Sequence, residues 1–139
     1  RVDRARLDEI VFAELARLNR IATVAHAEIA RRRDAFAATA ERDGHAIIAF
    51  DVPLLFEKHL EKTVDVTVVV SSPETEQRQR ALARPGMTAE KLEMIMSRQM
   101  PDAEKRKRAD HVIENSGTLA DLAQRTRHVL NQIKRTHTL

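Results

Sequence analysis

Val66-Thr67-Val68-Val69-Val70-Ser71-Ser72-Pro73-Glu74 passes within a few residues from a β-branched run to a helix start. The run 66–70 is too short for a helix and does not alternate strictly, as expected of a strand buried on both faces of a parallel sheet. Ser72 offers an N-cap, Pro73 a first-turn proline and Glu74 an acidic first turn, so a helix is expected over 73–84. Working outward, Ala46-Ile47-Ile48-Ala49-Phe50 carries the same strand signature upstream. Downstream, His111-Val112-Ile113-Glu114 is a third, shorter strand before the turn signal Asn115-Ser116-Gly117. Pro85-Gly86 ends the first helix, Thr88 caps another expected over 89–100, and Met100-Pro101 breaks that in turn. Thr118 to Asp121 has capping-box spacing, and Leu119, Leu122, Val129, Leu130 and Ile133 trace the apolar face of a terminal helix. Strands alternating with helices specify an α/β fold with a parallel sheet.

Ahead of this pattern, residues 4–18 place Leu7, Val11, Leu15 and Leu18 on one face at helical spacing, with Asp3 as the expected cap. A second helical pattern, carried by Ile21, Val24, Ala25, Ile29 and Phe36, runs from Asn19 to Arg42 and stops at Asp43-Gly44. Two antiparallel helices are therefore expected to open the chain.

With 139 residues there is enough chain for one domain with a real core. Cysteine is absent, which excludes disulfides and thiolate metal ligation. No apolar run approaches the roughly 18 residues of a membrane span, and the Arg-rich start lacks a signal-peptide core, so a cytoplasmic protein without membrane contact is expected. The net charge is only +3, yet residues 76–108 hold nine Lys/Arg against five Asp/Glu. With four Phe and no Tyr or Trp, that local surplus fits an anion-binding loop better than a nucleic-acid footprint.

The residues able to carry chemistry cluster at expected strand ends. Asp51 closes the run 46–50, where ligands of open α/β sheets bind; the same carboxylate serves equally to cap a turn. Lys105-Arg106-Lys107-Arg108 is either a solvated helix face or part of a phosphate-binding segment together with Arg84 and Arg98. Asn115-Ser116-Gly117 is an ordinary turn or a ligand loop on the edge that Asp51 faces. A lone helical histidine such as His26 is more often structural than a ligand. No pair of His, Asp or Glu shows metal-ligand spacing, so no metal site is expected.

Asp51-Val52-Pro53-Leu54-Leu55-Phe56-Glu57, the spacing Arg98-Gln99…Lys105-Arg106…Ala109-Asp110, and Asp110, Val112, Ile113 and Asn115 together resemble the bacterial dephospho-CoA kinases. These are P-loop kinases that phosphorylate the ribose 3′-hydroxyl of dephospho-CoA with ATP, the last step of coenzyme A synthesis. The resemblance implies a P-loop kinase-like parallel sheet flanked by helices, incomplete at the N-terminus. Its segments are a helical acceptor-binding part over 1–45, a core over 46–83 and 109–139, and a lid over 84–108. Among the catalytic and ATP-binding residues it implies Arg98, Asp51, Arg84, Arg106 and Asn115. On the acceptor side it implies Leu54, Leu55, Phe56, Glu57, His26 and Arg32, although His26 is followed here by Ala27 where the family usually has proline. ATP and Mg²⁺ are the implied substrate and ion, and small molecules the implied partners.

The three glycines, Gly44, Gly86 and Gly117, build no G-x-x-x-x-G-K-[ST] loop. The resemblance therefore puts that loop, and the catalytic base, before Arg1, and implies that the 139 residues alone are inactive. The alternative is a non-enzymatic basic helical module that binds an acidic protein or nucleic acid.

Overall fold

The computed structural model describes the backbone of residues 15–137 and the side chains of residues 24, 25 and 27–137. Most of the helix expected over 4–18, with its Asp3 cap, lies outside the described residues. So does the side chain of His26. The chain divides into two compact units, residues 1–50 and 51–139.

In the first unit, α1 spans Leu15–Arg42 without interruption. The expected break at Asn19 between two antiparallel helices is absent, because the Ala-rich stretch holds no glycine or proline to end the hydrogen-bond ladder. The helix stops where expected. Gly44, at φ 77°, donates its N–H to the Glu41 carbonyl, and His45 donates to that of Ala40, each at 3.0 Å. This is a Schellman closure, which needs the left-handed backbone that glycine adopts freely. The Phe36 and Phe50 rings meet edge to face with centroids 6.1 Å apart. Val24, Ile29 and Phe36 nevertheless stay largely exposed, and Ala40 is the buried residue of this helix among those described. Residues 46–50 do not form the expected strand. An apolar run becomes a strand only beside a partner, and the described sheet has two strands, neither of which is this one.

The second unit opens with a turn over 53–59, held by Lys58 N–H to the Leu54 carbonyl at 3.1 Å and Leu60 N–H to that of Leu55 at 2.9 Å. It continues through a short 3₁₀ turn, Leu60–Thr63. Then follow β1 (Val68–Ser71), α2 (Glu74–Leu82), α3 (Ala89–Met96), α4 (Asp102–Arg108), β2 (His111–Glu114) and α5 (Leu119–Thr136). β1 and β2 pair in parallel, from Val68 opposite His111 to Ser71 opposite Glu114. The α/β class with a parallel sheet flanked by helices is thus as expected.

Local details differ, beginning with the bounds of β1 and α2, expected over 66–70 and 73–84. Pro73, not Ser72, stands at the α2 N-cap, while the Ser72 carbonyl accepts from the Gln77 amide at 2.6 Å. The helix after Thr88 ends at Met96, four residues early, because Ser97 to Met100 tighten into turns before Pro101. β1 is not buried on both faces, since Val70 is 58% exposed. At α5 the capping box forms in full, with Thr118 Oγ1 accepting from the Asp121 N–H at 3.2 Å and Asp121 Oδ2 from the Thr118 N–H at 2.9 Å. Val129 is the buried residue of its apolar face, whereas Leu119, counted into that face from spacing, is 85% exposed.

Candidate functional site

The carboxyl ends of β1 and β2 lie side by side, since Ser71 pairs with Glu114 in register and the Asn115 N–H extends the ladder to the Ser71 carbonyl at 2.6 Å. Beyond them opens a cleft of about 960 Å³, walled by α2, α3 and α4. Arg78, Arg80, Arg84, Lys105 and Arg106 line it, together with Glu74, Asp102, Glu114 and Asn115. It occupies the position at which open α/β sheets bind ligands.

Most of the cations are engaged. Arg78 bridges Glu74 of its own helix, at 2.9 Å, and Glu93 of α3 in a shorter contact, tying the two helices across the Pro85-Gly86 turn. Both carboxylates hold its guanidinium pKa above the ordinary value, Glu93 the more strongly. Arg80 meets Glu76 at 2.7 Å and donates to the Asn115 carbonyl at 3.0 Å, which fixes the loop after β2. Arg106 pairs with Glu114.

Arg84 is the exception. Among the described residues its side chain has no hydrogen-bonding or ionic partner. Its carbonyl accepts from the Met87 N–H at 3.1 Å, closing a four-residue turn with Pro85 second and Gly86, at φ 76°, third. A type II turn asks for this order, so the backbone that presents Arg84 at the cleft is set locally by sequence.

α4 is fastened to the sheet body from one face. Asp102, Lys105 and Arg106 sit at i, i+3 and i+4, the spacing of side chains that share a helix face. Asp102 Oδ2 accepts from the buried Ser71 hydroxyl at 2.7 Å. Lys105 Nζ lies 2.9 Å from Glu57 Oε1, with the side chains only 18% and 13% exposed. Glu57 Oε1 also accepts from the Met100 N–H at 2.7 Å. Burial pushes the Glu57 carboxyl up, but Lys105 and the Met100 amide together outweigh it and hold the group below the ordinary carboxylate value. At the base of the crossover, Asp110 Oδ2 accepts from the Thr67 N–H at 2.8 Å and its hydroxyl at 2.7 Å. Those bonds depress the Asp110 pKa, the hydroxyl first.

Of the residues expected at the site, the cleft brings together Arg84, Arg106 and Asn115. Arg98 lies in the turn after α3, exposed and outside the lining. Asp51 is exposed and, since 46–50 is not a strand, does not close one. Phe56 is 2% exposed, a core side chain rather than an apolar surface, while Leu54 and Leu55 beside it are half-buried. Arg32, together with Arg31, is turned to Glu28 at 2.7 Å, which holds the Glu28 carboxyl down to about 2. Ser71, Asp102 and Glu114 were missed. The available signals were a serine ending a valine run, an acid one residue after Pro101, and an acid ending the third strand.

A family model for dephospho-CoA kinase matches residues 1–121. The chain belongs to that family. It is 45% identical over 129 residues to the dephospho-CoA kinase of Brucella melitensis, covering 93% of this chain and 64% of that protein. It is also 45% identical over 133 residues to that of Novosphingobium aromaticivorans, covering 96% of this chain and 65% of that one. Among solved structures, TT1252 from Thermus thermophilus superposes with a TM-score of 0.69 at 35% identity, over 95% of this chain and 68% of that chain. Dephospho-CoA kinase from Campylobacter jejuni shares the fold with a TM-score of 0.68 at 23% identity. The chain thus spans somewhat less than two thirds of the length of the Brucella relative.

A kinase of this family also implies a divalent ion beside ATP. The cleft does not fit one as an all-protein site, because Asp102 and Glu114 are each already engaged. No group of three ligating side chains occurs among the described residues.

Proposed function

We propose that the protein carrying this chain transfers the terminal phosphoryl group of ATP to the ribose 3′-hydroxyl of dephospho-CoA, and that the cleft beyond β1 and β2 receives the ATP phosphates. The supporting observation is Arg84, a guanidinium without a side-chain partner among the described residues, presented by a tight turn to a cleft at the carboxyl ends of two parallel strands. Phosphoryl transfer demands little beyond positioning and charge stabilisation, and planar arginine suits both. Arg84 takes phosphate oxygens directly, and Arg106 supplements it from α4. The loop at Asn115 borders the base. Arg98 joins only if the segment 84–100 closes, as lids of such kinases do. On this reading 84–108 is the lid, 46–83 and 109–139 the core, and 1–45 the acceptor-binding part. Leu54, Leu55, Arg32 and His26 belong to the acceptor side. Mg²⁺ would accompany ATP, held mainly by phosphate oxygens and water.

The paired state of the basic run weighs against a nucleic-acid module. Lys105, Arg106 and Lys107 are engaged with Glu57, Glu114 and Glu104, and Arg108, which has no side-chain hydrogen bond or ion pair among the described residues, still lies within the electrostatic reach of Glu104. The test is ADP release by the full-length protein with and without dephospho-CoA, in wild type and Arg84→Ala. Turnover that requires dephospho-CoA and falls in the variant supports the assignment. ATP consumption indifferent to dephospho-CoA overturns it.

A further inference from the structure

We propose that Glu57 is a positioning residue for phosphoryl transfer, pinning α4 and the Met100-Pro101 break to the turn at 53–59 so that Arg106 stays at the cleft. The proposal rests on the kinase reading above and replaces a substrate contact for Glu57 with a structural one acting through Lys105.

Its basis is geometric. Glu57 Oε1 collects two donors, Lys105 Nζ at 2.9 Å and the Met100 N–H at 2.7 Å, from either side of Pro101. The carboxylate therefore clamps the last residue of the turns after α3 and the middle of α4 to one point. Glu57 Oε2 is buried and has no hydrogen-bond partner among the described residues, so this oxygen is closed to solvent rather than offered to it. Lys105 is also mostly buried, and a buried ammonium tolerates loss of its counter-charge poorly. Arg106 follows Lys105 directly, so any shift of α4 moves the guanidinium that lines the cleft. The other two fasteners, Asp102 on Ser71 and Arg106 on Glu114, hold the same helix to the strand ends. Motion of the lid is thereby confined to the residues between Arg84 and Met100, with α4 as a fixed wall.

The experiment compares full-length wild type, Glu57→Gln, Lys105→Met and the double variant by steady-state kinetics and by hydrogen exchange over residues 97–108. Glu57→Gln should lower kcat by up to about a hundredfold, the scale on which a misplacement of about 1 Å acts, with the KM for dephospho-CoA unchanged, and should speed exchange over 97–108. Adding Lys105→Met removes the stranded ammonium and should recover a large part of both losses. A raised dephospho-CoA KM that Lys105→Met does not recover makes Glu57 a substrate contact and overturns the proposal, as does unchanged exchange over 97–108. If Glu57→Gln does not fold, Lys105→Met alone decides, because it keeps the Met100 bond but strands the buried Glu57 carboxylate without its counter-charge, and so should loosen 102–108 and lower kcat. Absence of any phosphoryl transfer in wild type removes the kinase reading instead, and the exchange measurement still decides the clamp.

Discussion

Arg84 and Lys107 carry the same charge in the same basic segment and differ in what surrounds them. Arg84 faces the cleft without a side-chain partner among the described residues, whereas Lys107 lies on the solvent side against Glu104 at 2.8 Å. Arg84→Ala should lower kcat roughly ten- to a thousandfold if it meets charge that develops in the transition state, and Lys107→Ala should leave it nearly unaltered. Arg98→Ala gives a further reading of the lid. A loss as large as that of Arg84→Ala requires closure to bring Arg98 in, and no loss keeps it on the surface. Asp110 lends itself to a pH measurement. Its folded-state pKa lies below the unfolded value of about 4, so its stabilisation is present above that value and disappears as pH falls through the folded one. Asp110→Asn should flatten the acid limb of a stability-against-pH curve relative to wild type. The placement of Arg84 and Asn115 at the cleft was legible because each sits beside a chain break or strand end visible in the sequence, and that of Arg106 because of the basic run it belongs to. Glu57 was not, because its meaning depends on an amide 43 residues away.

Among the elements, those with local causes were the legible ones. The capping box of α5, the Gly44 stop of α1 and the Thr88 cap of α3 are each written within a few residues and appear as expected. Thr118→Ala should cost about 1 kcal/mol in a denaturant titration, the usual value of a lost N-cap. Gly117→Ala should also destabilise, since a Cβ there would meet Asp121 Oδ2 at 2.9 Å on a backbone of φ 90°. The run 46–50 was misread because strand formation depends on a neighbour, which composition does not reveal. The break expected at Asn19 was misread for the opposite reason. α1 runs through it from Leu15, because no glycine or proline stands there and every residue of the ladder can still donate.

For the molecule, the buried apolar residues described are few, Ala40, Phe56, Leu92, Ile113 and Val129, while Val70 and Phe36 remain more than half exposed. Phe56→Ala should therefore cost about 3–5 kcal/mol, seen as a lowered Tm in the full-length protein. A change in dephospho-CoA KM without that loss would return Phe56 to the acceptor site. The knot between Thr67 and Asp110 has a consequence in time. It closes the whole crossover from β1 to β2, so it can form only once the intervening helices have brought the strands together. The test is whether that bond forms on the native side of the folding barrier. Asp110→Asn should then shorten the lifetime of the folded state while hardly altering how fast it is reached, and stopped-flow refolding and unfolding limbs measured side by side would separate the two.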